Sequence, residues 1–195
     1  MCRIAGIIDV TKPSTCAAIH AMRDSMIHGG PDDAGTYSDN EWPLSMAVRR
    51  LALIDLSPSG HQPMLNAKGD VVLAYNGEIY NFKDIRQVLE TAGCRFISQS
   101  DTEVVLQAYL HWGTHCFARF NGMFAMAIFD KKKEKIILAR DHAGMKPLYY
   151  YLAPQAGQLY FASETRAFKS INPQWPENPQ WRIHFLAYGH MPEPH

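Results

Sequence analysis

The sequence predicts an α+β fold built on antiparallel sheets. Strand-like segments come in runs, and helical segments are grouped between the runs instead of alternating with single strands. Residues 122–130 and 135–140 are two such segments joined by a short charged loop, which indicates an antiparallel hairpin. The 195 residues, of which 47% are hydrophobic, suit one large domain or two small ones with a substantial core.

Each element is predicted from its local pattern. Segments rich in Ile, Val, Leu, Phe and Tyr predict strands at 2–10, 44–50, 71–76, 122–130, 135–140, 147–152 and 158–163. Apolar residues at helical spacing predict helices at about 14–27, 82–92, 101–111, 114–119, 164–170 and 180–187.

Two of the predicted helices have marked starts. Asn81 is placed to cap the first of them, and Gly93 ends it. Ser100 and Glu103 have capping-box spacing at the start of the second. The apolar face of the first helix is predicted to consist of Phe82, Ile85, Val88 and Leu89.

The composition changes after residue 170. Prolines interrupt the remaining chain, in which one short helix begins near Pro179. We therefore expect a folded domain over residues 1–170 and a Pro-rich C-terminal segment and linker over residues 171–195.

Composition excludes several classes of function. The formal net charge is zero and the sequence has no basic face, so a nucleic-acid partner is not expected. No apolar run reaches the ~18–20 residues that span a membrane, and the N-terminus does not resemble a signal peptide, so we expect a cytoplasmic protein. The four cysteines have no C-x-x-C spacing and are expected to be free thiols, and the sequence predicts no metal site.

Cys2 allows two interpretations. In the first it is a small buried hydrophobic residue in an edge strand, since cysteine is among the most buried residue types. In the second, removal of Met1 makes Cys2 the N-terminal residue. Its own α-amine, with a pKa near ~7.7–8.0, then accepts the thiol proton and activates the nucleophile.

Two polar segments precede the middle of the chain. His28-Gly29-Gly30-Pro31-Asp32-Asp33 has the composition of a tight turn. Arg49 and Arg50 end an apolar strand, where a guanidinium either clamps a carboxylate in a bidentate pair or forms an ion pair with an acid such as Asp55.

Two further features complete the set. Asn76 and Gly77 offer an amide NH₂ and a backbone N–H, a suitable pair of donors for an oxyanion hole. Asp101 stands in the first turn of a predicted helix, where it stabilises the helix dipole and can also face an ammonium group. Together with Arg50 and Cys2, these residues could recognise an amino acid and attack its side-chain carbonyl.

Ordered motifs along the chain carry a family resemblance. They are Met1-Cys2-x-Ile4-x-Gly6, His28-x-Gly30-Pro31-Asp32, Arg50-Leu51-Ala52-Leu53-Ile54-Asp55, His61-Gln62-Pro63, Tyr75-Asn76-Gly77-Glu78-Ile79-Tyr80-Asn81, Ser100-Asp101-Thr102-Glu103, Asn121-Gly122-Met123-Phe124-Ala125, Arg140-Asp141-x-x-Gly144-x-Lys146-Pro147-Leu148-Tyr149-Tyr150 and Phe161-Ala162-Ser163-Glu164. In this order they resemble the class II glutamine amidotransferases, in particular the glutaminase domain of glutamine-hydrolysing asparagine synthetases.

The resemblance implies an N-terminal-nucleophile hydrolase fold, a four-layer αββα sandwich with two antiparallel sheets. It implies Cys2 as nucleophile, its amine as base, and Asn76 and Gly77 as the oxyanion hole. Arg50 and Asp101 would hold the amino-acid end of L-glutamine, and the pocket would be completed by Leu51, Ala52, Leu53, Ile54 and Glu78.

The resemblance also implies partners that lie outside this chain. Ammonia released from glutamine would pass to a synthetase domain or subunit, toward which residues 171–195 would lead. ATP and Mg²⁺ would belong to that domain, and no cofactor is expected in this chain. A homodimer is left open.

The sequence departs from the family pattern at two positions near the nucleophile. Arg3 stands where the family usually has glycine, and Gly29 stands where it usually has arginine. One hypothesis is that the changes offset each other, with Arg3 supplying the lost guanidinium. The departures also leave open a non-catalytic glutamine-binding or regulatory module, and a truncated product whose activity needs the absent domain.

Overall fold

The computed structural model describes residues 1–12, 15–39, 41–175 and 180–189. Its strands are β1 (Arg3–Asp9), β2 (Asp33–Ser38), β3 (Leu44–Arg50), β4 (Met64–Leu65), β5 (Val71–Ile79), β6 (Gly122–Asp130), β7 (Lys135–Arg140), β8 (Tyr149–Ala153) and β9 (Gln158–Ala162). Its α-helices are α1 (Cys16–Asp24), α2 (Phe82–Thr91), α3 (Asp101–Trp112), α4 (Thr165–Lys169) and α5 (Trp181–Tyr188).

The strands form two antiparallel sheets. The first has the strand order β2-β3-β1-β9-β8, and the second has the order β4-β5-β6-β7. An apolar cluster between them draws residues from β1, β3 and β9 of one sheet and from β5 and β6 of the other, and Cys2 packs against its edge. Gly6 allows this close packing, because a Cβ at that position would lie 2.0 Å from Cζ of Phe161.

Helices cover the outer faces of both sheets. Helices α1 and α4 pack on the first sheet through Ile19, Met22 and Phe168. Helices α2 and α3 pack on the second sheet through apolar residues that include Ile85, Leu89 and Val105. The resulting layers are helix, sheet, sheet and helix, which confirms the predicted α+β sandwich with two antiparallel sheets.

The elements agree with the sequence prediction at most positions. All the predicted strands are present, and the hairpin of β6 and β7 pairs Asp130 with Lys135. The prediction missed β2 and β4, which are polar or very short, and residues 113–119 form a 3₁₀ helix. Strand β5 continues through Asn76 and Gly77 as far as Ile79, beyond the predicted end at residue 76.

Two details of the predicted helix α2 differ from the prediction. Asn81 occupies the N-cap position, but its side chain makes no capping hydrogen bond. It donates instead to the carbonyl of Arg119 over 3.0 Å and accepts from the amide of Asn121 over 3.0 Å. Val88 is 54% exposed and lies outside the buried face. The helix nevertheless ends as predicted, with Gly93 in the left-handed region at φ +90°.

Ser100 caps α3 as predicted, but Glu103 does not complete a capping box. Ser100 Oγ accepts from the amide of Thr102 over 3.0 Å, as an N-cap residue does. The Glu103 carboxylate reaches back farther than in a capping box. It accepts from the amides of Ile97 and Ser98 at 2.9 and 2.6 Å, which ties the preceding loop to the helix.

The C-terminal segment is described in part. Trp175 packs on the first sheet, and its Nε1 donates to the carbonyl of Phe168 over 2.7 Å. Helix α5 lies where the sequence predicts a helix, whereas residues 176–179 and 190–195 of the predicted linker lie outside the described residues. Among the described residues, no helix is both long and apolar enough to cross a membrane.

A buried carboxylate ties the end of β1 to β9. Asp9 is fully buried and accepts hydrogen bonds from Thr11 Oγ1 over 2.6 Å, from Gln158 Nε2 over 3.2 Å and from the Tyr160 hydroxyl. Lys12 Nζ lies 3.4 Å from the same carboxylate. Burial opposes ionisation of Asp9, but these hydrogen bonds outweigh it and lower the pKa from 3.8 to about 2.

We expect Asp9→Asn to lower the free energy of unfolding at pH 7 by about 1.5–3 kcal/mol, the range for hydrogen bonds to a charged group. Because the folded-state pKa lies below the unfolded value, the contribution of Asp9 is complete above pH 4 and fades as the pH falls toward 2. Urea unfolding at pH 7, 4 and 2.5 should therefore show a difference between wild type and variant that shrinks with acid. Asp84→Asn, at an exposed position, is the control, and a pH-independent difference for Asp9→Asn would contradict the assignment.

Candidate active site

Cys2 lies at the open end of the first sheet, directly before β1. Strands β1 and β3 are antiparallel with Arg3 opposite Arg49, so the residue that precedes β1 meets the residues that follow β3. Cys2 Sγ consequently lies 3.4 Å from the amide nitrogen of Leu51 and 3.6 Å from its carbonyl oxygen. The alternative of an edge-strand cysteine is wrong, because β1 is the central strand of its sheet.

The thiol of Cys2 is held in its neutral form. Burial raises its pKa above the ordinary value of 9.0, although the amide of Leu51, the chain's amino group and Arg50 act in the opposite direction. Burial, together with Arg3 and Lys146, lowers the pKa of the α-amine of Met1 below 8.0. With Met1 in place, the nitrogen of Cys2 belongs to a peptide bond and cannot accept a proton.

A pocket opens at Cys2. It contains about 470 Å³ of empty space, its open mouth included. Its walls are formed by Met1, Cys2, Arg50, Leu51, Leu53, Ile54, Asp55, Gln62, Tyr75, Gly77, Glu78, Ser100, Asp101 and Thr102. The pocket therefore combines a thiol with a buried cation and a buried acid.

Arg50 provides the cation. Its guanidinium donates to the main-chain carbonyls of Asp55 and Ser57, the latter over 3.3 Å. Gly60 leaves room for it, because a Cβ there would lie 2.1 Å from Nη2. The alternative of a direct ion pair with Asp55 is wrong, since that carboxylate accepts instead from the amides of Ser57 and Gln99 at 2.8 and 2.9 Å. These contacts use only part of the donor set of a guanidinium.

Asp101 provides the acid. Its Oδ2 accepts from the Tyr75 hydroxyl over 2.9 Å and from the amide of Ile79 over 3.1 Å. Burial raises its pKa, with a smaller contribution in the same direction from Glu78. An ammonium group in the pocket would lower the pKa of Asp101, because an opposite charge favours the ionised carboxylate.

Asn76 and Gly77 lie near the end of β5. Asn76 is fully buried, and neither polar atom of its side-chain amide has a hydrogen-bond partner among the described residues. Gly77 lines the pocket, and a Cβ there would lie 2.4 Å from the carbonyl oxygen of Met123 on the neighbouring strand. A buried amide without a protein partner is costly to stability, and its presence calls for an explanation.

Comparison with known proteins identifies the family. A profile described as "Glutamine amidotransferase domain" matches residues 1–194. The chain belongs to the class II glutamine amidotransferases. A solved structure of glutamine phosphoribosylpyrophosphate amidotransferase from Bacillus subtilis superimposes on 87% of this amidotransferase domain with a TM-score of 0.72 and 20% identity, and the superposition covers 43% of that chain. This likeness confirms the N-terminal-nucleophile hydrolase fold.

Curated relatives are longer than this amidotransferase domain. A putative glutamine-hydrolysing asparagine synthetase 2 of Methanocaldococcus jannaschii is 37% identical over 216 residues, which cover all of this chain and 41% of the relative. Asparagine synthetase B of Escherichia coli is 38% identical over 174 residues, which cover 88% of this chain and 30% of the relative. The chain thus spans about two fifths or less of these relatives.

The structure brings most of the predicted site residues of the amidotransferase domain into one pocket: Cys2, Arg50, Leu51, Leu53, Ile54, Gly77, Glu78 and Asp101. Ala52 and Asn76 are not among the lining residues. The amide of Ala52 instead donates to Asp32 over 2.9 Å, and Asn76 is buried in the adjoining strand.

Six residues that line the pocket were not predicted from the sequence as site residues: Met1, Asp55, Gln62, Tyr75, Ser100 and Thr102. Gln62 accepts from the amide of Tyr75 over 2.8 Å and donates to Thr102 Oγ1 over 3.5 Å. Its position in the His61-Gln62-Pro63 motif was the available signal, but no local pattern shows that this segment folds back against β5.

The unpaired amide of Asn76 predicts an unusual response to mutation. We expect Asn76→Leu, which has a similar shape, to raise the free energy of unfolding by about 1–3 kcal/mol, because it removes a buried amide that has no partner among the residues that the structure describes. Gln62→Leu is the matched control. Its amide is hydrogen bonded, so its removal should destabilise the protein. Thermal and urea unfolding of both variants tests this contrast, and a clear loss of stability in Asn76→Leu would contradict it.

Proposed function

We propose that this domain hydrolyses the side-chain amide of L-glutamine to glutamate and ammonia, with Cys2 as the nucleophile once Met1 has been removed. The observation that carries the proposal is the pocket in which the Cys2 thiol lies together with Arg50 and Asp101. A thiol beside a buried cation and a buried acid suits a zwitterionic amino acid that carries a reactive carbonyl.

Recognition of glutamine divides between the two charged groups. The free donors of the Arg50 guanidinium bind the α-carboxylate, for which a planar fork is well matched. Asp101, held in place by Tyr75 and Ile79, binds the α-ammonium, and Glu78 adds a second negative charge on the same wall. Further wall comes from the segment 51–54, in which Leu51, Leu53 and Ile54 line the pocket and Ala52 does not.

Activation of the nucleophile depends on the amine of Cys2. Burial keeps the thiol protonated near pH 7, so attack requires a base. Removal of Met1 converts the Cys2 nitrogen into a primary amine, close to the cations Arg3 and Lys146 that lower the pKa of the α-amine of Met1. This amine is the base that takes the thiol proton.

The oxyanion forms when the thiolate adds to the carboxamide carbon. The side-chain NH₂ of Asn76 and the backbone N–H of Gly77 are assigned as its donors. The side-chain amide of Asn76 has no hydrogen-bond partner among the described residues, which supports this role, because donors arranged before the reaction need no reorganisation during it.

The remaining steps balance without a further reagent. The C–N bond breaks, and the amide nitrogen takes the proton from the amine. Ammonia departs, and a glutamyl thioester remains on Cys2. Water then adds to the thioester, the same amine accepts its proton, and the C–S bond breaks to release glutamate and the free thiol.

The ammonia is proposed to serve a synthetase domain or subunit. The names of the relatives from Methanocaldococcus jannaschii and Escherichia coli, both asparagine synthetases, support asparagine formation as the use of that ammonia. ATP and Mg²⁺ would act in the synthetase part. On this proposal residues 1–170 form the glutaminase unit and residues 171–195 lead toward the synthetase part.

The nucleophile assignment is tested by ammonia release from glutamine. We expect Cys2→Ala to lower kcat by at least about 10³-fold, as removal of a catalytic nucleophile does in other enzymes. Calorimetry should show that the variant still binds glutamine, because Arg50 and Asp101 remain. Mass spectrometry of wild type should show that Met1 has been removed.

Cys16→Ala is the matched control, because that thiol is exposed on α1, and it should retain full activity. Full activity in Cys2→Ala would overturn the assignment. Glutamine binding without turnover in wild type freed of Met1 would favour the alternative of a regulatory glutamine-binding module.

A further inference from the structure

The side chain of Arg3 lies against the main chain of the nucleophile residue. Its Nη1 donates to the carbonyl oxygen of Cys2 over 3.1 Å and to that of Met1 over 2.8 Å. The Cys2 carbonyl remains after Met1 is removed, so this hydrogen bond can persist in the processed chain. Arg3 does not line the glutamine pocket; it lines a separate cleft with Glu164 and Arg166.

Glu164 anchors the Arg3 guanidinium. Its Oε1 accepts from Arg3 Nε and lies 3.0 Å from His28 Nε2, and its Oε2 lies 2.9 Å from Arg166 Nε. The carboxylate is about 19% exposed. Burial opposes its ionisation, but the hydrogen bonds from Arg3 and His28 outweigh burial and lower its pKa. An ionised and largely enclosed carboxylate fixes the guanidinium in one orientation.

Gly29 provides the space that Arg3 occupies. It is buried at the end of the 3₁₀ turn Ile27–Gly29. A Cβ at this position would lie 2.6 Å from Cγ of Arg3 and 2.8 Å from both Cζ and Nε. Because the contact runs along most of the Arg3 side chain, a larger residue at 29 would displace Arg3 from the Cys2 carbonyl.

We propose that Arg3 is a positioning residue for Cys2, anchored by Glu164, and that position 29 must be glycine to admit it. The proposal rests on the function proposed above, since it requires Cys2 to be the nucleophile. Arg3 fixes the carbonyl of Cys2 and thereby the main-chain orientation of a residue that carries both the attacking thiol and the accepting amine. Small errors in that orientation are costly to the rate, because catalysis depends on the placement of the reacting atoms.

The test is a double-mutant cycle on the processed protein with glutamine as substrate. Arg3→Ala and Gly29→Ala should each lower kcat by about 10- to 100-fold, the effect of losing one hydrogen bond to a charged group. KM for glutamine should change less than about twofold, because neither residue lines the pocket. Adding Gly29→Ala to Arg3→Ala should cost nothing further, because the new methyl group then has no arginine to displace.

Several controls separate positioning from folding. Arg166→Gln removes another ion pair of Glu164 without touching Cys2 and should retain kcat. Thermal unfolding of every variant identifies losses of structure. Arg3→Lys retains the charge but cannot reach Glu164 and the Cys2 carbonyl together, and it serves as the second variant if Arg3→Ala does not fold. It should also lose kcat.

Additive losses in the cycle, or wild-type kcat in Arg3→Lys or Gly29→Ala, would overturn the proposal. Failure of the proposed function is distinguishable from these results, because it would appear as persistent activity in Cys2→Ala. An inactive Cys2→Ala combined with fully active Arg3 and Gly29 variants would refute only the role assigned to Arg3.

Discussion

The antiparallel pairing of β1 with β3 determines which residues meet at the edge of the first sheet where Cys2 lies. Its register, Arg3 opposite Arg49, brings the start of one strand and the end of the other to the same edge of the sheet. Cys2 therefore lies close to Arg50 and Leu51, from which it is far apart in sequence. A slip of one residue would turn every side chain of β1 to the opposite face. The tight contact of Gly6 with the Phe161 ring opposes such a slip, so the packing of the core also determines the geometry of the site.

Buried polar groups at the candidate site are less well hydrogen bonded than a buried carboxylate elsewhere in the fold. Asp9, at the far end of β1, is a buried carboxylate surrounded by donors, and its pKa falls to about 2. Asp101 is also buried, but its pKa is raised, and the amide of Asn76 has no partner among the described residues. On the proposed mechanism, both groups gain their missing interaction when glutamine binds or reacts. Buried polar groups that lack hydrogen-bond or charge partners are expected at sites where a protein binds its ligand or catalyses a reaction.

Much of this architecture could be predicted from the sequence, for physical reasons. The apolar strands and the helices α2 and α3 carry strong local patterns, and the residues at the C-terminal ends of β3 and β5 carry motifs that indicate the pocket. Strand β2 was missed because Asp33, Gly35 and Ser38 lack strand propensity; it is stabilised by pairing with β3. The side chain of Asn81 bonds to a distant loop instead of its own helix, and the backward fold of Gln62 onto β5 likewise depends on tertiary contacts that no local pattern encodes.

The proposed function requires that Cys2 attack the carboxamide carbon of a glutamine held by Arg50 and Asp101. A glutamine analogue with a diazoketone in place of the carboxamide tests it directly, because a thiol that attacks within the pocket is alkylated with loss of nitrogen gas. Intact-mass measurement and peptide mapping should find one adduct per chain, on the N-terminal Cys2, and excess glutamine should prevent it. The absence of an adduct, or labelling of Cys16, Cys94 or Cys116 that glutamine does not suppress, would contradict the account.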